Sequence, residues 1–330
     1  MKAMQFAVVV IAVLTFLAIC SSPPASTKPL QQQDSISNPS STISTTSIMS
    51  NTGYLGQNLN SLKDTNGKIV SSEKSNYKDT VEAYKIRYLS DGLEIAGFLL
   101  KPSQTNGEIP VIIWNRGGSR EYSKNDASTL SWLCDQFVCQ GYVVIASQYR
   151  GCDGSQGQDE YGGKDVDDVL NLIPLARSLP FISPNKIVMM GGSRWGMMTY
   201  ISLTKTPEIK AAAVISGLAD CIQNYNERES DMKNVYKELI GGSPIEKEFE
   251  FKMRSAVYWP EKINTPLLIL HGDNDWRVNV SQAQDLANKL KSLGKTCELV
   301  IYPRGSHMVP EFWKDRDQAI ANWFSKYLDL

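Results

Sequence analysis

Nineteen residues near the middle of this chain, KIVMMGGSRWGMMTYISLT from Lys186 to Thr204, narrow its architecture more than any other stretch. The apolar run at 187–190 is too short for a helix and is closed by Gly191 and Gly192, so it reads as a buried strand. After Ser193 the apolar positions Met197, Tyr200 and Ile201 recur at helical spacing. Strand, Gly-Gly-Ser and helix in direct succession form a sharp turn that lifts a serine off the end of a buried sheet. The helix then offers its unpaired N–H groups to negative charge developing beside that serine. A serine hydroxyl is a weak nucleophile at neutral pH and needs a base within hydrogen-bond reach. The chain has 2 histidines, His271 and His307, so the search for that base is short.

The flanking sequence supplies the rest of a sheet. Segments 81–88 and 93–100 surround Ser90-Asp91-Gly92 and read as a hairpin. The run 110–114 is a strand leading into Asn115-Arg116-Gly117-Gly118, and 127–140 has helical spacing. A strand at 142–146 precedes a glycine-rich loop at 151–163 and an amphipathic helix at 165–179. Further strands are expected at 211–215, 266–270 and 297–302, with helices at 281–293 and 311–327. Apolar runs alternating with helices imply an α/β fold with a mostly parallel sheet covered on both faces. Segment 218–261 breaks the pattern: charges crowd there, no strand is apparent, and 226–239 and 245–257 read as helices. A helical cap over the C-terminal edge of the sheet is expected, since open α/β sheets bind ligands there.

Two loops complete the chemistry. Asp275 lies in HGDNDWRV after the strand at 266–270, and His307 lies in YPRGSHMV after the strand at 297–302. Serine, then aspartate, then histidine is the chain order of an α/β-hydrolase triad, and each follows a strand's C-terminal end. His271 stands directly at a strand end and reads as structural, and Asp273 as a solvated turn residue.

Six short motifs in order then carry a resemblance: NRGG at 115–118, QYRGCDGS at 148–155, EYGGKDVDD at 160–168, GGSR at 191–194, HGxxDxxV at 271–278 and YPxxxH at 302–307. Over 81–330 the chain resembles the catalytic domain of the prolyl oligopeptidase family of serine hydrolases. The resemblance implies an α/β-hydrolase fold, Ser193 as nucleophile, His307 as general base and then acid, and Asp275 as the carboxylate that holds the imidazole. It also implies an oxyanion hole formed by the backbone N–H of Arg194 and a donor from the 115–118 loop. The family places a tyrosine hydroxyl just before the paired glycines; this chain has Arg116 there, leaving backbone N–H groups of Arg116, Gly117 and Gly118 as the substitute. The family's elbow reads GxSxGG, and Trp195 replaces the first following glycine. Its indole either shapes an acyl pocket, together with Trp276 beside Asp275, or forces the elbow out of shape. The family's large peptidases also carry a β-propeller, for which the residues before 81 leave no room. The expected function is cleavage of peptide or ester acyl bonds through an acyl-enzyme. Two alternatives stay open: a carboxylesterase, and a catalytically silent, surface-tethered binding protein on a hydrolase scaffold.

Composition closes off other classes. Lys+Arg 34 against Asp+Glu 35 gives no basic excess for a nucleic-acid surface. The glycine-rich loop lacks the Gly-Lys-Ser/Thr ending of a phosphate loop. Six cysteines without a CxxC pair, beside two histidines, give no zinc cage, so neither metal nor cofactor is expected. Lys2 precedes an apolar run at 6–19, the pattern of a secretory signal over 1–20 and short for a membrane span. Leu-Ala-Ile-Cys at 17–20 resembles a bacterial lipobox, with Cys20 as the lipidated residue. Lipidation, plain secretion and an uncleaved anchor all stay open. Segment 21–77, rich in polar residues at its start, is expected to be a disordered stalk before a hydrolase domain at 78–330. An exported protein is expected, periplasmic or, where Cys20 is lipidated, tethered to the membrane by that anchor.

Overall fold

A computed structural model describes residues 65–105 and 107–330. The signal at 1–20, Cys20 and the stalk up to residue 64 lie outside the described residues. Among the described residues nine strands form one sheet: β1 (Ile69–Lys78), β2 (Val81–Ser90), β3 (Leu93–Pro102), β4 (Ile109–Asn115), β5 (Val143–Ser147), β6 (Ile182–Gly192), β7 (Ala212–Ile215), β8 (Leu267–Gly272) and β9 (Cys297–Tyr302). Their order in space is β1-β2-β3-β5-β4-β6-β7-β8-β9. β1 to β3 form an antiparallel meander, β3 joins β5 antiparallel, and every pair from β5 onward is parallel. The α/β class read from the apolar runs holds for this reason: β4, β5, β7 and β8 are buried along their lengths.

Among the described residues nine α-helices accompany the sheet: α1 (Ala127–Gln136), α2 (Asp165–Leu170), α3 (Leu172–Ser178), α4 (Arg194–Leu203), α5 (Cys221–Glu227), α6 (Ser230–Ile240), α7 (Glu248–Met253), α8 (Val280–Ser292) and α9 (Trp313–Leu328). Alternate strand residues feed opposite cores. Ile113, Ile145, Met189 and Ile269 face a core with α2, α3, α4 and α8, whereas Ile112, Val144, Met190 and Leu270 face α1 and α9.

Three expectations change. β1 lies inside the segment assigned to the stalk, so the folded domain begins earlier than residue 78. Its sequence is polar because it is the sheet's edge strand, largely exposed, and its backbone pairs with β2. The expected helix at 165–179 is two helices that meet at Asn171. Pro174 has no N–H to give to the carbonyl four residues back, so the hydrogen-bond ladder is interrupted there. In the 218–261 insertion the helices are shorter and shifted to α5, α6 and α7. Asp220 fixes the start of α5 by accepting from the backbone N–H groups of Ile222 (2.9 Å) and Gln223 (3.0 Å).

Candidate active site

Ser193 sits between β6 and α4 with φ 55° and ψ −129°, a left-handed backbone that costs a non-glycine residue of order 1–3 kcal/mol. Three hydrogen bonds hold it there. Its N–H donates to Ile215 O (3.0 Å), and its carbonyl accepts from Gly196 N–H (3.0 Å) and Leu218 N–H (2.9 Å). The turn also needs Gly196, because a Cβ there would lie 2.4 Å from the Cα of Gly217. The close approach to the neighbouring strand is thus carried by 196, leaving 195 free to bear a side chain.

Asp275 and His307 meet in loops after β8 and β9. His307 Nδ1 and Asp275 Oδ2 are 2.8 Å apart. The other carboxylate oxygen accepts from the backbone N–H groups of Arg277 (2.9 Å) and Val278 (3.1 Å). Burial opposes ionisation of Asp275, yet the bonds from His271 and His307 and the charge of the imidazole hold its carboxyl well below the usual range. The carboxyl group therefore stays charged across the neutral range. His271 is fully buried, with Nε2 2.9 Å from Val278 O and 3.4 Å from Asp275 Oδ2, so it braces the loop. Asp273 is exposed and accepts from Arg304 N–H, tying the Asp275 loop to the His307 loop. The main chain after His307 is held as well: Met308 N–H donates to Ser216 Oγ (3.1 Å), and Arg316 donates to Met308 O (2.6 Å).

Ser193 and His307 both line a half-open cavity of about 620 Å³. Gly117, Gly118 and Trp195 border it on one side, Leu218 and helices α5 and α6 of the insertion on another, and Trp276 and Arg277 at the mouth. Arg194 occupies the first position of α4, where helix geometry leaves a backbone N–H without an intrahelical partner.

The Arg194 side chain has a separate task. It is buried between Asp159 and Asp165, with Nη2 2.6 Å from Asp159 Oδ1 and 2.5 Å from Asp165 Oδ2. Its Nη1 donates to Gly118 O (2.8 Å), and the guanidinium lies 4.3 Å from the Tyr161 ring. Burial works against both carboxylates. Arg194 nevertheless holds Asp159 well below the usual range, whereas Asp165 remains above it. The glycine-rich loop is thereby locked to the elbow helix and to the Gly117-Gly118 loop. These aspartates stand 35 and 29 residues before Arg194 in the chain, so no periodicity advertises the contact.

The side chain of Arg116 has a structural task. It is fully buried beneath the loop and does not border the cavity. Its guanidinium donates to the carbonyls of Gln148, Gly117, Tyr122 and Arg120. Burial without a carboxylate partner obliges it to find carbonyls, and it shapes the loop that way. Gly117 and Gly118 are the members of that loop that reach the cavity.

Trp195 leans across Gly117 onto Trp114, with ring centroids 4.8 Å apart and planes at 75°. It borders the cavity on one side and a smaller cleft containing Trp114 and Trp132 on the other. Gly117 makes room for it, since a Cβ there would lie 2.0 Å from the indole nitrogen. Gly117→Ala is therefore expected to cost about 1–3 kcal/mol and to lower turnover. Combining it with Trp195→Gly should restore most of the stability, measured by urea unfolding of the two single variants and the double. Trp276 is 71% exposed, a mouth residue and not a buried pocket wall. Among the described residues no group of His, Cys, Asp and Glu is arranged to hold a metal ion.

Comparison with known proteins follows the same lines. The model of the prolyl oligopeptidase family matches residues 128–330. The uncharacterized peptidase YtmA of Bacillus subtilis is 32% identical over 232 residues, covering 70% of this chain and 88% of that protein. Among solved structures, the Pyrococcus horikoshii acylaminoacyl peptidase superposes with a TM-score of 0.64 at 24% identity, covering 78% of this chain and 42% of that one. Acetyl xylan esterase 1 from Thermoanaerobacterium sp. gives 0.60 at 17% identity, covering 82% and 92%. At those identities the two structures share the fold. The chain spans less than half of the acylaminoacyl peptidase and of the longer peptidase relatives.

Proposed function

This chain belongs to the prolyl oligopeptidase family of serine hydrolases, and on that premise we propose that it cleaves acyl bonds of short peptides or esters with Ser193, His307 and Asp275. The observation that carries the reading is the 2.8 Å contact between His307 Nδ1 and Asp275, at the edge of the cavity that Ser193 lines. With Nδ1–H donated to the carboxylate, Nε2 is the basic nitrogen and takes the proton of Ser193 Oγ as the oxygen attacks the acyl carbon. The carbonyl oxygen becomes an oxyanion, stabilised by N–H of Arg194 and of the Gly117-Gly118 loop. His307 then returns the proton to the departing amine or alcohol, leaving an acyl-enzyme. Water attacks this ester by the same proton route, releasing the acid and restoring the serine. Asp275 supports the imidazolium that forms in each half-reaction.

The relatives are named peptidases, which favours peptide amides; the shared fold with an acetyl xylan esterase keeps simple esters as a second substrate class. A fluorophosphonate probe tests the nucleophile. It should label the wild-type protein on Ser193 and leave Ser193→Ala unlabelled; an unlabelled wild-type protein would overturn the reading.

Export is part of the same proposal, on the strength of Lys2, the apolar run at 6–19 and Cys20. Radiolabelled palmitate should enter the full-length protein and be lost in Cys20→Ala. Absence of label from both would leave plain secretion.

A further inference from the structure

Resting on the hydrolase reading above, we propose that the mouth of the Ser193 cavity is an anion site, in which Arg228 and Arg277 receive a carboxylate carried by the substrate. Most arginines elsewhere in the protein are matched; Arg87, which donates to the carbonyl of Gly154 (2.9 Å), and exposed Arg304 have no carboxylate partner among the described residues, and neither borders the cavity. Arg120, Arg150, Arg177, Arg194, Arg254 and Arg316 each have a carboxylate within 3.3 Å. Buried Arg116 is satisfied by carbonyls. Arg228 and Arg277 border the cavity, and among the described residues neither has an ion-pair partner.

Both guanidiniums are held in place without being used up. Each lies 5.1 Å from the centre of the Trp276 ring, so one exposed indole carries two cations. Arg228 donates one N–H to the carbonyl of Arg277 (3.1 Å), and Asn224 donates to the same carbonyl (2.8 Å). Asn224 is itself fixed by Tyr236 Oη–H (2.8 Å). This anchoring lowers the ordering cost of receiving a ligand and leaves most guanidinium N–H groups unspent. Two positive charges at one cavity without a counter-ion leave the potential there positive, which a substrate carboxylate relieves.

The other charged groups at the cavity leave the balance positive. Arg194 is offset by Asp159 and Asp165, and Asp275 is buried behind His307. Asp231 is the remaining carboxylate on the wall, and no ion pair joins it to either arginine among the described residues. The carboxylate in question belongs to the acyl portion or to the leaving group, and the two are separable by choice of ester.

The test compares kcat/KM for two anionic esters with neutral counterparts. 4-Nitrophenyl hydrogen glutarate carries the charge on the acyl group, and its methyl ester is the control. 4-Acetoxybenzoate carries it on the leaving group, with methyl 4-acetoxybenzoate as the control. The wild-type protein is expected to favour one anionic ester over its control by about tenfold, the scale of one charge-assisted hydrogen bond open to water. That ratio should fall to near one in Arg228→Gln, rise in Asp231→Asn, and stay as in wild type in Arg177→Gln, remote from the cavity. A ratio near one in wild type for both pairs, or one unmoved in Arg228→Gln, overturns the proposal while leaving the hydrolase reading intact. A catalysis-free measurement keeps the two separate. In Ser193→Ala, hippurate should quench tryptophan fluorescence more tightly than neutral hippuramide, with the difference lost on adding Arg228→Gln. Equal binding of the two probes would sink the anion site whatever the esters show.

Discussion

Ser193→Ala is expected to lower kcat by about five to six orders of magnitude, as removal of a triad nucleophile does when the oxyanion donors remain. The geometry adds a second readout that separates chemistry from folding. At φ 55° and ψ −129° the backbone strain belongs to the turn and not to the hydroxyl. Alanine therefore keeps the strain and should leave stability near wild type. Ser193→Gly removes the Cβ that makes this conformation costly, and should be more stable than Ser193→Ala by about 1 kcal/mol or more, while equally inactive. Urea unfolding of both variants, beside turnover of a 4-nitrophenyl ester, checks the pair of statements. Substantial turnover in Ser193→Ala would remove the nucleophile assignment. Asp275→Asn should be milder than either, because His307 itself survives.

Arg194→Leu is expected to cost about 3–5 kcal/mol of stability, the range for breaking a buried ion pair by deleting one partner. The reason is what it leaves behind: Asp159 and Asp165, both buried, lose the cation that lies 2.5–2.6 Å away. Without it both carboxyls shift upward, and Asp165 already lies above its usual value in the native protein. Groups whose folded pKa is raised bind more protons folded than unfolded, so stability falls as pH rises through the raised value. The deficit of Arg194→Leu should accordingly be smaller at pH 5 than at pH 8. A deficit independent of pH would show that packing, not charge, is what Arg194 contributes. Turnover should fall too, because Arg194 Nη1 also holds the carbonyl of Gly118 (2.8 Å) beside the cavity.

The fold was legible where apolar runs are continuous. β4, β5, β7 and β8 are buried on both faces, and their sequences say so directly. β1 was not legible, because an edge strand held by backbone pairing has no need of apolar side chains. The order of Ser193, Asp275 and His307 along the chain indicated which side chains to bring together, since each ends a strand of one sheet edge. The charged lock around Arg194 was hidden for the opposite reason. Asp159 comes from an irregular loop and Asp165 from the first turn of α2, and a contact between such pieces leaves no spacing in sequence. A signal was present nonetheless: an arginine set in the apolar elbow helix requires buried acids, and the glycine-rich loop is where acids are concentrated.

Gly117 and Trp195 constrain the order in which this lineage reached its present sequence. Tryptophan at 195 fits only over a residue without a side chain at 117, so glycine at 117 had to come first. Once the indole was in place, the way back closed. Any replacement of Gly117 now meets the ring, a clash that a small residue at 195 does not impose. Gly117 is thus held by Trp195, while Trp195 depends on Gly117, and the pair works as a ratchet. Relatives that keep glycine at the position of 195 should tolerate side chains at the position of 117 that this chain does not.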